Sequence, residues 1–309
     1  MKHLRYLLIG ILFVCSASTL WAQKNYKFGK PTDEEWAMTQ CEQYPEAEAV
    51  VLHKSISATF KLTNAFTFTS NANMEMSVSN LDRSGNNEID FPGTEVHYEV
   101  CMRTKILKEN GNANLDICYY STAGKHKAGE AQFDGIAYLK VNVLSKNEKG
   151  KVEKRVFKQN TFEVEQLDEY YKVMHIIVPD AKVGDIIECQ YQITSYRPSF
   201  LYDWTFQEPL PVLYAKCDYD IPAMIQYNVN VPINEAISKH VEQGVVRIES
   251  NCGDMKAPES FPTNHYIIEA KNLAPATQAI KLVALCNNAR MSRPAPMPKG
   301  WSHLAVSVK

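Results

Sequence analysis

The chain has 309 residues, of which 45% are hydrophobic and 22% are charged, and its formal net charge at pH 7 is −2. This composition is typical of a globular protein and excludes an intrinsically disordered one. A mildly acidic chain with scattered lysines offers no electrostatic footprint for nucleic acid, so nucleic acid is not an expected partner.

Residues 1–22 have the layout of a secretory signal peptide. Two basic residues precede the apolar run 7–14, which is too short to span a bilayer comfortably, and Ala22 stands before the expected cut. An uncleaved membrane anchor is the less favoured alternative, and the residues before Cys15 are a poor match to a lipidation signal. We therefore predict a periplasmic or extracellular chain with a net charge of −4 and no membrane partner after cleavage.

Seven of the eight cysteines remain once Cys15 is removed with the leader, at positions 41, 101, 118, 189, 217, 252 and 286. No CxxC pair occurs, so neither a zinc site nor a thioredoxin-like motif is supported. Because seven is odd, at least one thiol stays free or pairs with another chain. Several of these cysteines lie in apolar strand-like runs, where we favour small buried hydrophobic side chains.

Residues 23–48 are expected to form an arm with one short helix. Thr32 and Glu35 have the spacing of a capping box, with Thr32 as the N-cap and Glu35 as the third helical residue. Pro45 is expected to end the helix.

Residues 49–275 show a hydrophobic period of two, as in β-strands. Turn signals separate the runs and no βαβ alternation appears, so the pattern predicts a mainly β, antiparallel sandwich-like domain. Residues 64–93, rich in Asn and Ser, are expected to form a long loop or a weak hairpin. Two subdomains divided near residue 210 or 232 are an alternative. The strands predicted in the second half are 135–144, 152–157, 171–178, 186–194, 202–206, 212–219, 225–231, 245–248 and 266–270.

Asn110-Gly111 is a dipeptide that favours a two-residue hairpin turn. Alternating residues precede and follow it, so we predict that strands 96–106 and 115–119 pair. In this register Cys101 and Cys118 are diagonal neighbours, too far apart for an unstrained disulfide. A slip of one residue would make them direct partners.

Residues 276–309 lose the period of two and contain alternating prolines at 294, 296 and 298. A stretch of this kind is extended and semi-rigid. We expect a Pro-containing C-terminal tail or truncated linker, and an arm packed on the surface is an equal alternative.

Several segments of the chain, in this order and spacing, resemble the DUF3857 family. They are 26–35 (YKFGKPTDEE), 44–52 (YPEAEAVVL), 105–111 (KILKENG), 183–191 (VGDIIECQY), 203–207 (DWTFQ), 210–214 (LPVLY) and Ile221-Pro222. The resemblance covers 26–275 and departs at 64–93 and after Ala276. It implies the domain that usually precedes a transglutaminase-like domain in secreted bacterial proteins, and it implies no activity. We expect the transglutaminase-like core to be absent here.

A transglutaminase-like site needs a cysteine nucleophile at a helix start, with a histidine and an aspartate to activate and orient it. Cys286 is the late candidate, and His303 is the one histidine after it. The proline-rich stretch between them keeps the chain extended, and no neighbouring base would lower the pKa of the thiol. We therefore interpret Cys286 as a packed or incidental thiol and predict no catalytic residue.

Other ligand signals in the sequence are weak. There is no HxH or HExxH spacing, no DxDxDG loop and no GxGxxG or Walker motif, so no metal or cofactor is expected. His97 and His175 lie in apolar strand runs and are expected to be core or edge histidines. The dense aromatic residues between Tyr191 and Tyr227 could line a peptide or carbohydrate face, but their alternation favours core packing.

The leading hypothesis is an exported, non-catalytic module that binds a protein, peptide or glycan, or a transglutaminase-like domain. The alternative is part of a cysteine protease or transglutaminase-like enzyme whose core is missing or lies on another chain. A third hypothesis is a remnant without a function of its own.

Overall fold

The computed structural model describes residues 26–63, 94–121, 134–195, 201–202, 204–223, 225, 227–249, 260–276 and 281–286. Within these ranges the chain is mostly β, with one short helix near the N-terminus, which confirms the predicted class. The elements are α1 (Asp33–Ala37), β1 (Ala49–Thr63), β2 (Thr94–Ile106), β3 (Leu115–Tyr120), β4 (Gly135–Lys146), β5 (Val152–Phe157), β6 (Glu163–Gln166), β7 (Tyr171–Ile176), β8 (Ile186–Ser195), β9 (Trp204–Thr205), β10 (Val212–Pro222), β11 (Tyr227–Asn230), β12 (Ile237–Glu249), β13 (Ser260–Leu273) and β14 (Lys281–Cys286).

The main sheet has eight strands in the order β10-β13-β12-β1-β2-β8-β4-β5. Two smaller sheets have the orders β3-β7-β6 and β11-β14-β9. Most neighbours are antiparallel, as predicted, but β1 runs parallel to β10 along seven matched residues and to the end of β12. The main sheet is therefore mixed, and β1, β10, β13 and β12 pair in a closed ring.

Alternating residues of the main sheet give it two different faces. One face, here called the inner face, carries Val51, Val100 and Tyr191 and shares a single hydrophobic cluster with residues of both small sheets, such as Ile117 and Trp204. This packing of sheet on sheet is the sandwich-like arrangement that the alternating pattern predicts. The opposite, outer face is covered at one end by the arm, over a small cluster around Val50, Leu52 and Cys41.

A register shift in β1 determines which face of the sheet carries the side chain of Lys54. The pairing of β1 with β2 shifts between Val51 and His53, which is a β-bulge. Because of this bulge, Lys54 follows Val51 onto the inner face and shares it with Ile56, while His53 lies on the outer face with the arm. A charged side chain is thus placed in the hydrophobic core.

The predicted Asn110-Gly111 hairpin is wrong. β2 pairs with β1 and β8, and β3 pairs with β7 in another sheet, so the chain leaves the main sheet at Ile106. A turn closes from the Gly111 N–H to the Lys108 carbonyl, and the backbone packs against Glu48, whose carbonyl accepts from Leu107 and Lys108. Cys101 and Cys118 accordingly lie in different sheets and are both free thiols.

Two strands lie where the sequence predicts none. β6 is exposed along its whole length, so it carries no hydrophobic alternation. β14 lies in the segment predicted as a tail or linker, and it pairs with both β11 and β9. The loop or hairpin predicted at 64–93 lies outside the described residues.

Substitution of Gly111 tests the contact that replaces the hairpin. A Cβ atom at this position would lie 2.3 Å from the Glu48 carbonyl oxygen, so Gly111→Ala forces the backbone to shift and is expected to cost about 1–3 kcal/mol of unfolding free energy. Gly135→Ala is the matched control, because nothing lies within 4 Å of its Cβ position. Urea unfolding of both variants measures the difference, and equal stabilities would contradict the close approach.

Candidate functional site

The arm is held on the outer face by Arg103, which lies in β2 and is almost fully buried. Its Nη1 donates to both carboxylate oxygens of Glu35 at 2.7 and 2.9 Å, and its Nε donates to Oε1 of Glu188 at 2.9 Å. Nη2 also donates to the Lys27 carbonyl, and the guanidinium stacks 4.5 Å from the ring of Tyr26. We call this set of contacts the arm latch.

The predicted capping box is confirmed, and one of its residues also belongs to the arm latch. The Thr32 N–H donates to Glu35 Oε2, and the Glu35 N–H donates to Thr32 Oγ1. The helix ends at Ala37, earlier than Pro45. Glu188 accepts in addition from the Gly29 N–H at 2.7 Å. Arg103 and Glu188, which are partners on the adjacent strands β2 and β8, thus both bond to the arm, and the latch has a structural role.

A second buried ion pair lies inside the core. Lys54 and Glu208 are 0% and 2% exposed and bond to each other, and Lys54 Nζ donates to Thr205 Oγ1 at 3.2 Å. The ammonium also lies 4.5 Å from the centre of the Trp204 ring. Burial lowers the pKa of Lys54 and raises the pKa of Glu208, so both charges depend on their mutual contact. This pair ties the 204–208 segment to β1.

Breaking this pair tests how far the fold depends on it. Lys54→Met leaves the Glu208 carboxylate buried without its partner and is expected to cost about 3–5 kcal/mol of unfolding free energy. The double variant Lys54→Met/Glu208→Leu removes both charges and is expected to recover most of that loss. Guanidinium unfolding measures both, with Lys108→Met as control, since its pair with Glu46 is exposed. If Lys54→Met loses only a little unfolding free energy, the fold does not depend on the buried pair of Lys54 and Glu208.

Four of the described cysteines are poor nucleophiles. Burial, together with the nearby carboxylates of Glu99 and Glu188, raises the pKa of Cys101 to about 12, and burial also raises the pKa of Cys118 to about 12. The pKa values of Cys189 and Cys217 are raised by burial as well. A useful nucleophile needs the opposite shift, because the thiolate is the reactive form. These thiols pack as small hydrophobic side chains, as the sequence predicts for cysteines in strands.

Cys286, the late candidate from the sequence, is the last residue of β14, and its backbone pairs with Tyr227 of β11. A strand end lacks the helix dipole that would lower the pKa of a thiol. His303 lies outside the described residues.

The two strand histidines lie on inner strands of their sheets, β2 and β7, and both have hydrogen-bond partners. His97 is half-buried, contacts Glu95 at 2.9 Å and accepts at Nδ1 from Gln192 Nε2. His175 lies between the carboxylates of Asp116 at 2.7 Å and Glu165 at 3.3 Å, and so links β3, β7 and β6. Burial alone would lower the pKa of His175, but these two hydrogen bonds outweigh burial and raise it.

This raised pKa predicts a pH-dependent contribution to stability. The contribution is fully present below the unfolded pKa of about 6.5 and is lost as the pH rises through the higher folded value. His175→Gln is therefore expected to reduce the unfolding free energy more at pH 6 than at pH 9, as measured by urea titration. His240→Gln, whose ring is exposed, serves as control. A loss for His175→Gln that does not change with pH would contradict the pairing.

The aromatic residues expected in the core lie there, where they are described. Tyr202, Trp204, Phe206 and Tyr219 are each at most 4% exposed and belong to the main hydrophobic cluster. Tyr214 is also buried, but on the outer face, where its ring stacks on His53. These rings are consequently packed and are not displayed as a ligand-binding face.

An open groove of about 540 Å³ lies where the arm meets the segment after Glu208. Four of its lining residues are prolines, and Tyr44 forms part of its wall. The full lining is Gln43, Tyr44, Pro45, Glu46, Ala47, Glu48, Pro209, Leu210, Pro211 and Pro275. The Val51 N–H donates to the Pro211 carbonyl, and the Ala276 N–H donates to the Glu208 carbonyl, so the walls are joined by backbone hydrogen bonds.

The described residues include neither a metal-binding cluster nor a membrane-spanning helix. No group of three or more His, Cys, Asp or Glu side chains there could hold a metal ion. No helix there is both long and apolar enough to cross a membrane.

A family model described as a domain of unknown function with a solved structure, DUF3857, matches residues 93–259, which is more than half of the chain. The chain belongs to the DUF3857 family. The match includes Arg103 and Glu188 of the arm latch and Glu208 of the core pair. The arm itself and Lys54 precede the matched range.

Comparison with other proteins adds little to the family match. No curated protein matches the chain. A solved structure described as "a putative protease" from Parabacteroides distasonis is 15% identical, with a TM-score of 0.41. The match covers 77% of this DUF3857 chain and 40% of that chain, so this chain spans less than half the length of that structure.

The segments that carry the resemblance to DUF3857 proteins meet at two places in the fold. Segments 26–35 and 183–191 meet at the arm latch, through Glu35 and Glu188. Segments 44–52 and 210–214 form the two walls of the groove. The ion pairs themselves were not predicted. The sequence did indicate that Lys54 is buried. Lys54 precedes Ile56, Ala58 and Phe60 at the same spacing of two residues, and those three side chains all belong to the core.

Proposed function

We propose that this DUF3857 protein is an exported, non-catalytic module that binds an extended peptide segment of a partner protein in the groove between the arm and residues 209–211. The observation that supports it is the contrast between the groove and the rest of the described structure. The buried charges are used in the arm latch and the core pair, whereas the groove is open and largely apolar.

The shape and lining of the groove favour a peptide over a glycan. Pro209, Pro211, Pro45 and Pro275 give rigid apolar walls, which lose little conformational entropy when a ligand binds. Tyr44 adds an aromatic surface of the type that extended, proline-containing peptides contact in other recognition grooves.

Export is part of the proposal and is supported by the layout of residues 1–22. The non-catalytic part is supported by the raised pKa values of four described thiols and by the structural use of Glu35, Glu188 and Glu208. For the alternative, a cysteine protease or transglutaminase-like enzyme, no observation among the described residues gives comparable support. A partner supplied by a transglutaminase-like domain would be one source of the bound peptide segment.

Selection from a random peptide display library on the purified chain tests the groove. Peptides that bind the wild-type chain are expected to lose about tenfold or more in affinity for Pro275→Trp, because the indole fills the groove. Pro179→Trp is the matched control, since Pro179 is also exposed and does not line the groove. Fluorescence anisotropy with labelled peptides measures both. Selected peptides that bind Pro275→Trp as tightly as the wild type would contradict the proposal.

A further inference from the structure

We propose that the groove binds a positively charged side chain, with arginine preferred over lysine, carried by an extended peptide. This inference rests on the proposed function and adds the chemistry of the ligand to it. Three features of the groove support it independently: the charges at its rim, the hydrogen-bonding groups of its backbone and its aromatic ring.

The charges at the rim are of one sign. The lining includes the carboxylates of Glu46 and Glu48 and no lysine, arginine or histidine. Lys108 reaches Glu46 from outside at 3.0 Å, but both side chains are exposed, and an exposed pair of this kind contributes little and is easily exchanged. Glu208, next to the groove in sequence, is already paired with Lys54. The groove therefore presents a negative potential that only a cation complements.

The backbone of the groove is rich in acceptors and poor in donors. Its four prolines have no N–H group but keep their carbonyl oxygens, of which that of Pro211 already accepts from the Val51 N–H. Two of the remaining N–H groups, those of Tyr44 and Ala47, already donate to carbonyls within the 41–47 turn. A ligand that mainly accepts hydrogen bonds would find few partners here. A guanidinium, with five N–H donors and no acceptor, matches this surface.

The chain already binds one of its own cations with the same three components. Arg103 is surrounded by two carboxylates, the Lys27 carbonyl and the Tyr26 ring. In the groove, Glu46, Glu48 and the Tyr44 ring supply the equivalent groups at an open site, where cation–π contact adds to the charge attraction.

Three synthetic peptides that differ at one position test the preference. Ac-Ala-Pro-Xaa-Pro-Ala-NH2 with arginine, norleucine or glutamate at Xaa is titrated into the isotopically labelled wild-type chain, and affinity is read from NMR chemical shifts. The arginine peptide is expected to bind about tenfold more tightly than the norleucine peptide, and the glutamate peptide most weakly. Raising the salt concentration is expected to narrow these differences.

Charge-neutral variants identify the carboxylates responsible. Glu46→Gln/Glu48→Gln is expected to abolish the advantage of arginine over norleucine. The control Glu148→Gln/Glu163→Gln removes two exposed carboxylates that do not line the groove and is expected to retain it. These positions are exposed, so the chain should fold normally in both variants.

The outcomes separate this inference from the function on which it rests. If the arginine and norleucine peptides bind with equal affinity and Pro275→Trp blocks both, the preference for a cation is overturned, whereas peptide binding in the groove stands. An advantage for arginine that survives Glu46→Gln/Glu48→Gln would also overturn the inference. Failure of all three peptides to bind the wild-type chain would overturn it as well, whereas peptide binding as such is decided by the display selection.

Discussion

The position of Arg103 between two buried carboxylates is the constraint on which the outer face depends. A guanidinium removed from water is stable only when its donors are satisfied, and a buried carboxylate that loses its partner is costly. Glu35 comes from the arm and Glu188 from β8, so satisfying Arg103 fixes the arm against the sheet. Residues 43–48 follow directly on the fastened helix, and they form one wall of the groove.

The other wall depends on the core pair on the opposite face of the same sheet. Glu208 is held by Lys54, and the groove residues Pro209 to Pro211 follow it in the chain. Lys54 reaches the core because the bulge after Val51 reverses the alternation of β1. Two buried ion pairs, one on each face of the sheet, thus position the two walls of an open groove. Buried pairs of this kind add little net stability compared with apolar packing, but they define position.

The ionisable groups of the arm latch and the core pair are bonded to one another, and burial raises the pKa of four strand thiols. A thiol with a raised pKa is a poor nucleophile, because the thiolate is its reactive form. The groove, in contrast, is open, and the proposed function assigns recognition to it. In the proposed function, the buried charges determine where the groove lies, and the exposed carboxylates of Glu46 and Glu48 determine what it binds.

The sequence by itself determined the features that depend on near neighbours. The period of two specifies strands with one buried face, and the Thr32–Glu35 spacing specifies a helix start, because both follow from local geometry. Only the tertiary structure decided which strands pair. Asn110-Gly111 favours a turn, but burial of Leu115 and Ile117 against β7 sends β3 into another sheet. In addition, β1 pairs in parallel with β10, whose matched residues come 161 positions later in the chain. The partners of Arg103 and Lys54 likewise come from distant segments, and no local pattern encodes contacts of that range.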